Sequence, residues 1–555
     1  MRKLLSLLGV LSISASSSLM SISCNKDEIN KSFEVNSQLP IIDGENWNAP
    51  SKENKYENYF HVDAPDKKGM LNDMQGAFFD GTYWHLYYLY NSEAEYDSSG
   101  EQIGKNGTEW YHMQTKDFIN WEYKGIAVHK WNSKGWGDAA GGTLYVDKDK
   151  DFGKVAGGKV AISTAYGGEK GQNIMAYYST PGDGNGNDND FGYNFKELNK
   201  GNPILENGKE LGTYPDFRDP HFFKKNGKFI LYVSELDGFG VYVSDNPLEG
   251  YEKKGEYKAK HAMVECANIF ELNVNGNEKE KKYVVIYGGN GNNDNGQPDF
   301  IDNLGTGTYY SVGHLDDNFV FQEEQAPKRL DFGADFYAAK FFEDTQDQSL
   351  PIGDHLIGTG WMSSWDYNRV VPNTGYWGNM SLARKIKLTK NKDGEYGMSQ
   401  SFIGLDNQEL TASGNQNNII NSKIRGGSYK LDLNFKNTKK SNAVIELESS
   451  DETYKNIIKL DFEKNKISTK RYTKDVTLVN NKGFIQDRSY VTNLNDKNDS
   501  SLSLIVDKST IEAVLPDGSI ISMVKFPDGV SPEKLLLNLS KNIEFDYKYY
   551  QFKKE

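Results

Sequence analysis

Cysteine is almost missing from this chain: Cys24 and Cys266 are the only two among 555 residues. If Cys24 is used otherwise, no disulfide framework and no CxxC metal site can form. Basic clusters are missing as well. Lys and Arg total 64 against 78 Asp and Glu, for a net charge of -14, and no run is dense enough to hold a polyanion, which argues against nucleic acid as a partner. Proline is sparse at 15 and helical periodicity is nearly absent, whereas glycine reaches 54 and aromatics 13%. That balance favours short strands joined by tight turns over helices. Tyrosine, at 34, is the commonest aromatic; most of these rings are expected to pack between sheets, with some left to face sugars.

The first residues, Met1-Arg2-Lys3, precede an apolar, small-residue run from Leu4 to Ile22 and then Ser23-Cys24. This resembles a bacterial lipoprotein signal, so 1–23 is expected to be a signal peptide and Cys24 the lipidated residue, although Ser21 stands where Leu is commoner. The resemblance implies a membrane as partner, through a lipid anchor, at the extracellular face of a bacterial membrane, or else secretion. Residues 24–55 are polar and aperiodic, and are expected to form a flexible tether.

Between residues 56 and 392, strand-like apolar runs alternate with turns. The strongest are Trp84 to Tyr90, Lys159 to Ala165, Phe229 to Leu236, Tyr283 to Gly288 and His355 to Trp361, spaced by roughly 50 to 75 residues. Five such units suggest a five-bladed β-propeller, with the first strand of each blade near a central channel. A charged, glycine-containing connector is expected near Asn391 to Gln400. Alternating segments such as Ser428 to Phe435, Ala443 to Glu448 and Ser501 to Asp507, with a turn at Pro516-Asp517-Gly518, then predict a β-sandwich over 401–555. The fold class is all-β.

Three acids stand in contexts suited to chemistry. Asp73 lies just ahead of an apolar strand, where a carboxylate would point into the channel. Asp219 follows Arg218, whose charge would keep it ionised. Glu265 is a lone acid in the apolar stretch Met263-Val264-Glu265-Cys266-Ala267, and such surroundings raise a carboxyl pKa towards neutrality. Sugar hydrolysis requires this division, one carboxylate to attack and one acid to protonate the leaving oxygen. Taken singly, each acid could instead be a turn, a surface ion pair or a solvent-facing strand residue.

As a set these residues resemble glycoside hydrolase family 32, which includes invertases, inulinases, levanases and fructosyltransferases. Met70-Leu71-Asn72-Asp73-Met74-Gln75-Gly76 is similar to the family's Trp-Met-Asn-Asp-Pro-Asn-Gly, Arg218-Asp219-Pro220 matches its Arg-Asp-Pro, and Glu265-Cys266-Ala267 its Glu-Cys-Pro. The resemblance implies Asp73 as nucleophile, Asp219 as transition-state stabiliser and Glu265 as acid/base, with Asp73 and Glu265 about 5 to 5.5 Å apart, as in a retaining enzyme. Asn72, Trp110, Arg218 and Tyr337 are expected to hold the sugar. Met74, Gln75 and Leu89 depart from the family pattern where the sugar nearest the cleavage point is held, which points to the levan-acting branch.

The expected activity is hydrolysis of β-fructofuranosidic bonds in fructan, most of all levan, with endo-action included in that expectation and with no cofactor and no metal. Alternatives are levan fructotransferase, sucrose or inulin fructosidase and, in another class, a non-catalytic fructan-binding lipoprotein. The Asp147-Asp149-Asp151 run and the loops 183–190 and 290–299 have the oxygen-rich composition of calcium loops, but Gly153 sits one place too late for an EF-hand turn, so solvated loops are expected. Cys266 as a thiol nucleophile is disfavoured, since no His/Asn arrangement points to it.

Overall fold

The structure, a computed structural model, describes residues 35–42, 55–105, 107–179, 192–208, 214, 216–290, 306–406, 408–416, 428–494, 498–527 and 533–552. The expected signal peptide, Cys24, loop 183–190 and residues 291–299 lie outside them.

Each of the five apolar runs singled out above is the second strand of an antiparallel sheet: Trp84–Asn91, Gly158–Gly167, Lys228–Ser234, Asn277–Asn290 and Leu356–Trp361. Such strands read as nearly continuous apolar runs because neighbouring blades cover both their faces; every residue of Trp84–Asn91 is buried. Before each comes an inner strand, namely Gly69–Phe79, Gly137–Asp147, Arg218–Lys225, Val264–Val274 and Tyr337–Glu343. The inner strands touch one another in ring order, and the last touches the first. The short strand Tyr376–Trp377, arriving from the fifth blade, pairs in parallel with Gly69 and Met70 and ties the ring shut. This is a five-bladed β-propeller.

Every inner strand slips register at the same place. The shifts fall between Leu71 and Met74, Ala139 and Gly142, Arg218 and His221, Glu265 and Asn268, and Tyr337 and Lys340. At the second position of the last three, Asp219, Cys266 and Ala338 take left-handed backbone with φ of 54°, 55° and 48°. Non-glycine residues pay for that conformation with strain, which is kept where a bulge must re-aim side chains.

A β-sandwich of two six-stranded sheets follows. Alternating residues such as Leu431, Leu433, Phe435, Ile445, Leu447, Leu502, Leu504 and Phe545 meet in its core. Pro516-Asp517-Gly518 is a hairpin turn, with Gly518 at φ 81°, joining Thr510–Val514 to Ile520–Val524. Two expectations change. Residues 35–42, assigned to the flexible tether, form an edge strand paired with Glu533–Ser540, and Ile41 is buried in the sandwich core; Pro40 is tolerated because an edge strand has a free side. The stretch 391–400, expected to be a connector, is the outer hairpin of the fifth blade, turning at Asn391-Lys392-Asp393-Gly394 and continuing as Tyr396–Phe402.

Buried charge fastens the two parts together. Arg384 donates to Asp331 at 2.8 Å and to Glu512 at 2.9 Å, with its guanidinium 3.8 Å from the Phe336 ring centroid. Arg471 donates to Asp335 at 2.7 Å.

Candidate active site

Three of the register slips bring Asp73, Asp219 and Glu265 to one place. Cys266 marks their meeting: its Sγ lies 3.4 Å from Asp219 Oδ2 and 3.7 Å from Asp73 Oδ2, and its backbone N–H donates to Asp219 Oδ2 at 3.3 Å. Glu265, the preceding residue, accepts at Oε1 from Arg218 Nη2 at 2.8 Å and Nε at 3.0 Å, and at Oε2 from the Tyr337 hydroxyl. Arg218 also donates to Asp216. Asp73 and Asp219 are buried.

Gln75 holds Asp73. Its Nε2 donates to Asp73 Oδ2 at 2.8 Å, while its Oε1 accepts from the backbone N–H of Gly142 in the second blade at 2.5 Å. Asp219 is set by its backbone: its N–H donates to Thr164 Oγ1 at 2.9 Å, and Thr164 donates to the Gly141 carbonyl at 2.8 Å.

Burial, followed by the charge of Asp219, pushes the Asp73 carboxyl up to about 7, with the Gln75 hydrogen bond pulling the other way. Burial and then the Glu265 charge raise Asp219, against the pull of Arg218. The Cys266 thiol is driven well up by burial and the surrounding acids, so it is present as neutral S–H, a donor. The Tyr337 phenol is likewise raised by burial and by Glu265.

Several expectations are corrected. Arg218 gives its shortest contacts to Glu265 and Asp216 and stands 4.0 Å from Asp219 Oδ2, because consecutive residues at a strand start project in different directions. Glu265 faces Arg218 and Tyr337, not apolar walls. Trp110 is fully buried between the first and second blades, its indole N–H spent on the Ala140 carbonyl at 2.8 Å, so it braces the second inner strand and presents no face to a sugar. Met74 and Leu89 also point into packed clusters, so they line no sugar site and cannot carry levan preference by contact. Asn72 is buried and accepts from the Asp73 N–H at 2.9 Å. Asp149 and Asp151 are occupied by Lys224, and Asp147 accepts from the backbone of Asp151 and Phe152.

Carboxyl groups that share one pocket with a guanidinium and a phenol can divide nucleophilic attack from proton transfer, because each environment favours a different protonation state. The glycosyl hydrolases family 32 N-terminal domain matches residues 61–398 of this sequence. The chain belongs to glycosyl hydrolase family 32. This family 32 chain is similar to the levanbiose-producing levanase of Bacillus subtilis (strain 168), with 29% identity over 491 residues, 85% of this chain and 86% of that protein. A levanbiose-producing levanase of Geobacillus stearothermophilus is 30% identical over 391 residues, 68% of this chain and 89% of that protein. Among solved structures, the fructofuranosidase from Schwanniomyces occidentalis complexed with fructose shares the fold, with a TM-score of 0.72 at 21% identity over 90% of this chain and 99% of that one. The family 32 chain is thus a glycoside hydrolase of the β-fructosidase kind.

Three residues of this site escaped sequence reasoning. Gln75 registers only as a departure from the family motif, and Gly141 is one glycine among 54. Lys340 gave a usable signal, a lone cation in the run Tyr337–Phe342, which is otherwise apolar; a charge inside a buried strand asks for a partner.

Proposed function

We propose that the chain hydrolyses fructan with retention, levan above all. Asp73 attacks the anomeric carbon of a fructosyl unit and forms an ester, while Glu265 gives a proton to the departing glycosidic oxygen. Water then loses a proton to Glu265 and cleaves the ester, which frees Asp73. Asp219 grips hydroxyls of the fructosyl ring, with Arg218 and Tyr337 holding Glu265 in position. The observation that carries this reading is the convergence of the three carboxyls on Cys266 and Arg218 from separate blades. A carboxyl titrating near 7 leaves much of Asp73 ionised at neutral pH.

Levan as substrate is supported by the two bacterial relatives, both named for levanbiose production, and a short oligosaccharide product fits cleavage within or near the end of a chain. Transfer to a sugar hydroxyl instead of water would use the same ester. For location, we infer export, with Cys24 carrying the lipid that keeps the enzyme at the outer face of the membrane.

The test is incubation of the full chain and its Asp73→Asn variant with levan, inulin and sucrose separately, with products resolved by size. Levan should give short oligosaccharides fastest, and Asp73→Asn should lose activity by at least about 10³-fold, as nucleophile removal does elsewhere. Undiminished activity in Asp73→Asn would sink the assignment of roles, and faster release from inulin or sucrose would remove levan as the favoured substrate.

A further inference from the structure

Next to Cys266 in sequence, Ala267 receives a lysine that the proposed reaction does not use. Lys340 sits on the inner strand Tyr337–Glu343 of the fifth blade at 2% exposure, and its Nζ donates to the Ala267 carbonyl at 3.0 Å. Burying an ammonium costs several kcal/mol unless negative charge offsets it. A carbonyl dipole alone is a small return for that cost.

The charges of the pocket show what offsets it. Asp73, Asp216, Asp219 and Glu265 are the acids, and Arg218 and Lys340 are the cations. Arg218 spends its guanidinium on Glu265 and Asp216 and reaches no nearer than 4.0 Å to Asp219. Asp219 therefore has Arg218 and, after it, Lys340 as its cations, and among the described residues Lys340 is the cation that Asp73 faces. His221, from the third blade, adds none, because burial and then Lys340 push it down to about 3. The other groups facing Lys340 are the neutral Cys266 thiol of the fourth blade, Asp219 of the third and Asp73 of the first; burial lowers the Lys340 pKa, and the two carboxylates oppose that shift.

We propose that Lys340 is a positioning residue that acts through charge, holding the nucleophile Asp73 and its neighbour Asp219 ionised together in a pocket whose burial would otherwise protonate one of them. This rests on the assignment of Asp73 as nucleophile. An opposite charge close to a carboxyl lowers its pKa by roughly one to three units, so loss of Lys340 should move the nucleophile's ionisation upward by about one unit or more.

The experiment is the pH profile of kcat/KM on levan for the full chain and for Lys340→Met, which keeps the length of the side chain and removes the charge. The acid limb should move up by about one pH unit, with rates converging on the wild type at high pH. A loss of equal size at every pH, or an unmoved limb, would overturn the proposal by reducing Lys340 to a packing role. If the wild type itself has no activity on levan, inulin or sucrose, the failure belongs to the functional reading. Folding is covered by Asp219→Asn/Lys340→Met: removal of one negative charge with the positive one should restore thermal stability lost in Lys340→Met, and a double variant no more stable than the single would count against the charge pairing.

Discussion

Gly141 and Asp219 stand so close that a Cβ added to Gly141 would lie 2.1 Å from Asp219 Oδ1. The second blade therefore yields space to a carboxyl of the third, and only a glycine allows that approach. Gly141→Ala should push the Asp219 carboxyl away from Cys266. Overpacking costs about 1–3 kcal/mol, but a displacement of about 1 Å at a reacting centre can cost about 100-fold in rate. Steady-state kinetics on levan beside a thermal melt should show activity falling by about that factor while the fold survives.

Gln75 joins two blades by a single amide, so its removal should be felt at both ends. In Gln75→Ala, Asp73 loses a donor that lowers its pKa, and the buried Gly142 N–H loses its acceptor, at about 1–3 kcal/mol. The acid limb of kcat/KM should move to higher pH, and the melting temperature should fall. Gln75→Glu should be worse in activity, because it sets a second carboxyl beside Asp73; activity equal to wild type in either variant would mean that Gln75 is not what orients Asp73.

How far these features were legible in the sequence follows from where each one's partners lie. The second strands of the blades stood out because burial on both faces makes them continuous apolar runs. The inner strands were harder to read: at the register slips they carry Asn72-Asp73, Gly141-Gly142 and Arg218-Asp219, which resemble turns. Residues 35–42 were missed since Asn36, Ser37 and Gln38 look like linker until the strand at Glu533–Ser540 supplies a partner. The acids could be located by motif, each within a few residues. Gln75 to Gly142 and Lys340 to Ala267 are contacts between blades, and nothing local announces them.

Asp73 should weaken the fold that holds it. Its carboxyl titrates near 3.8 when unfolded and at about 7 in the folded protein, so folding favours the protonated form. The resulting destabilisation enters as pH rises above about 4 and is complete above about 7. Asp73→Asn removes it, so the variant should melt at least about 2 °C above wild type at pH 8, with the difference vanishing near pH 4. Melting curves across that range are the check, and a gain of equal size at pH 4 would point to altered packing in place of charge.

His61 poses the opposite case at the seam between propeller and sandwich. Its Nδ1 lies 3.1 Å from Asp507 Oδ2 and its Nε2 2.9 Å from Glu512 Oε2, with all three side chains fully buried. Burial alone would lower the imidazole pKa, but the hydrogen bonds to Asp507 and Glu512 outweigh it and raise it to about 9. A raised folded pKa means stabilisation that is full below the unfolded value of about 6.5 and is lost as pH climbs through about 9. Since Glu512 also receives Arg384, neutral His61 would loosen one side of a shared network. His61→Gln keeps a polar side chain but no charge, so it should cost about 3–5 kcal/mol at pH 6.5, the range for breaking a buried pair, and much less at pH 10. Denaturant unfolding at the two pH values measures this; a cost that does not shrink between them would place the role of His61 in shape alone.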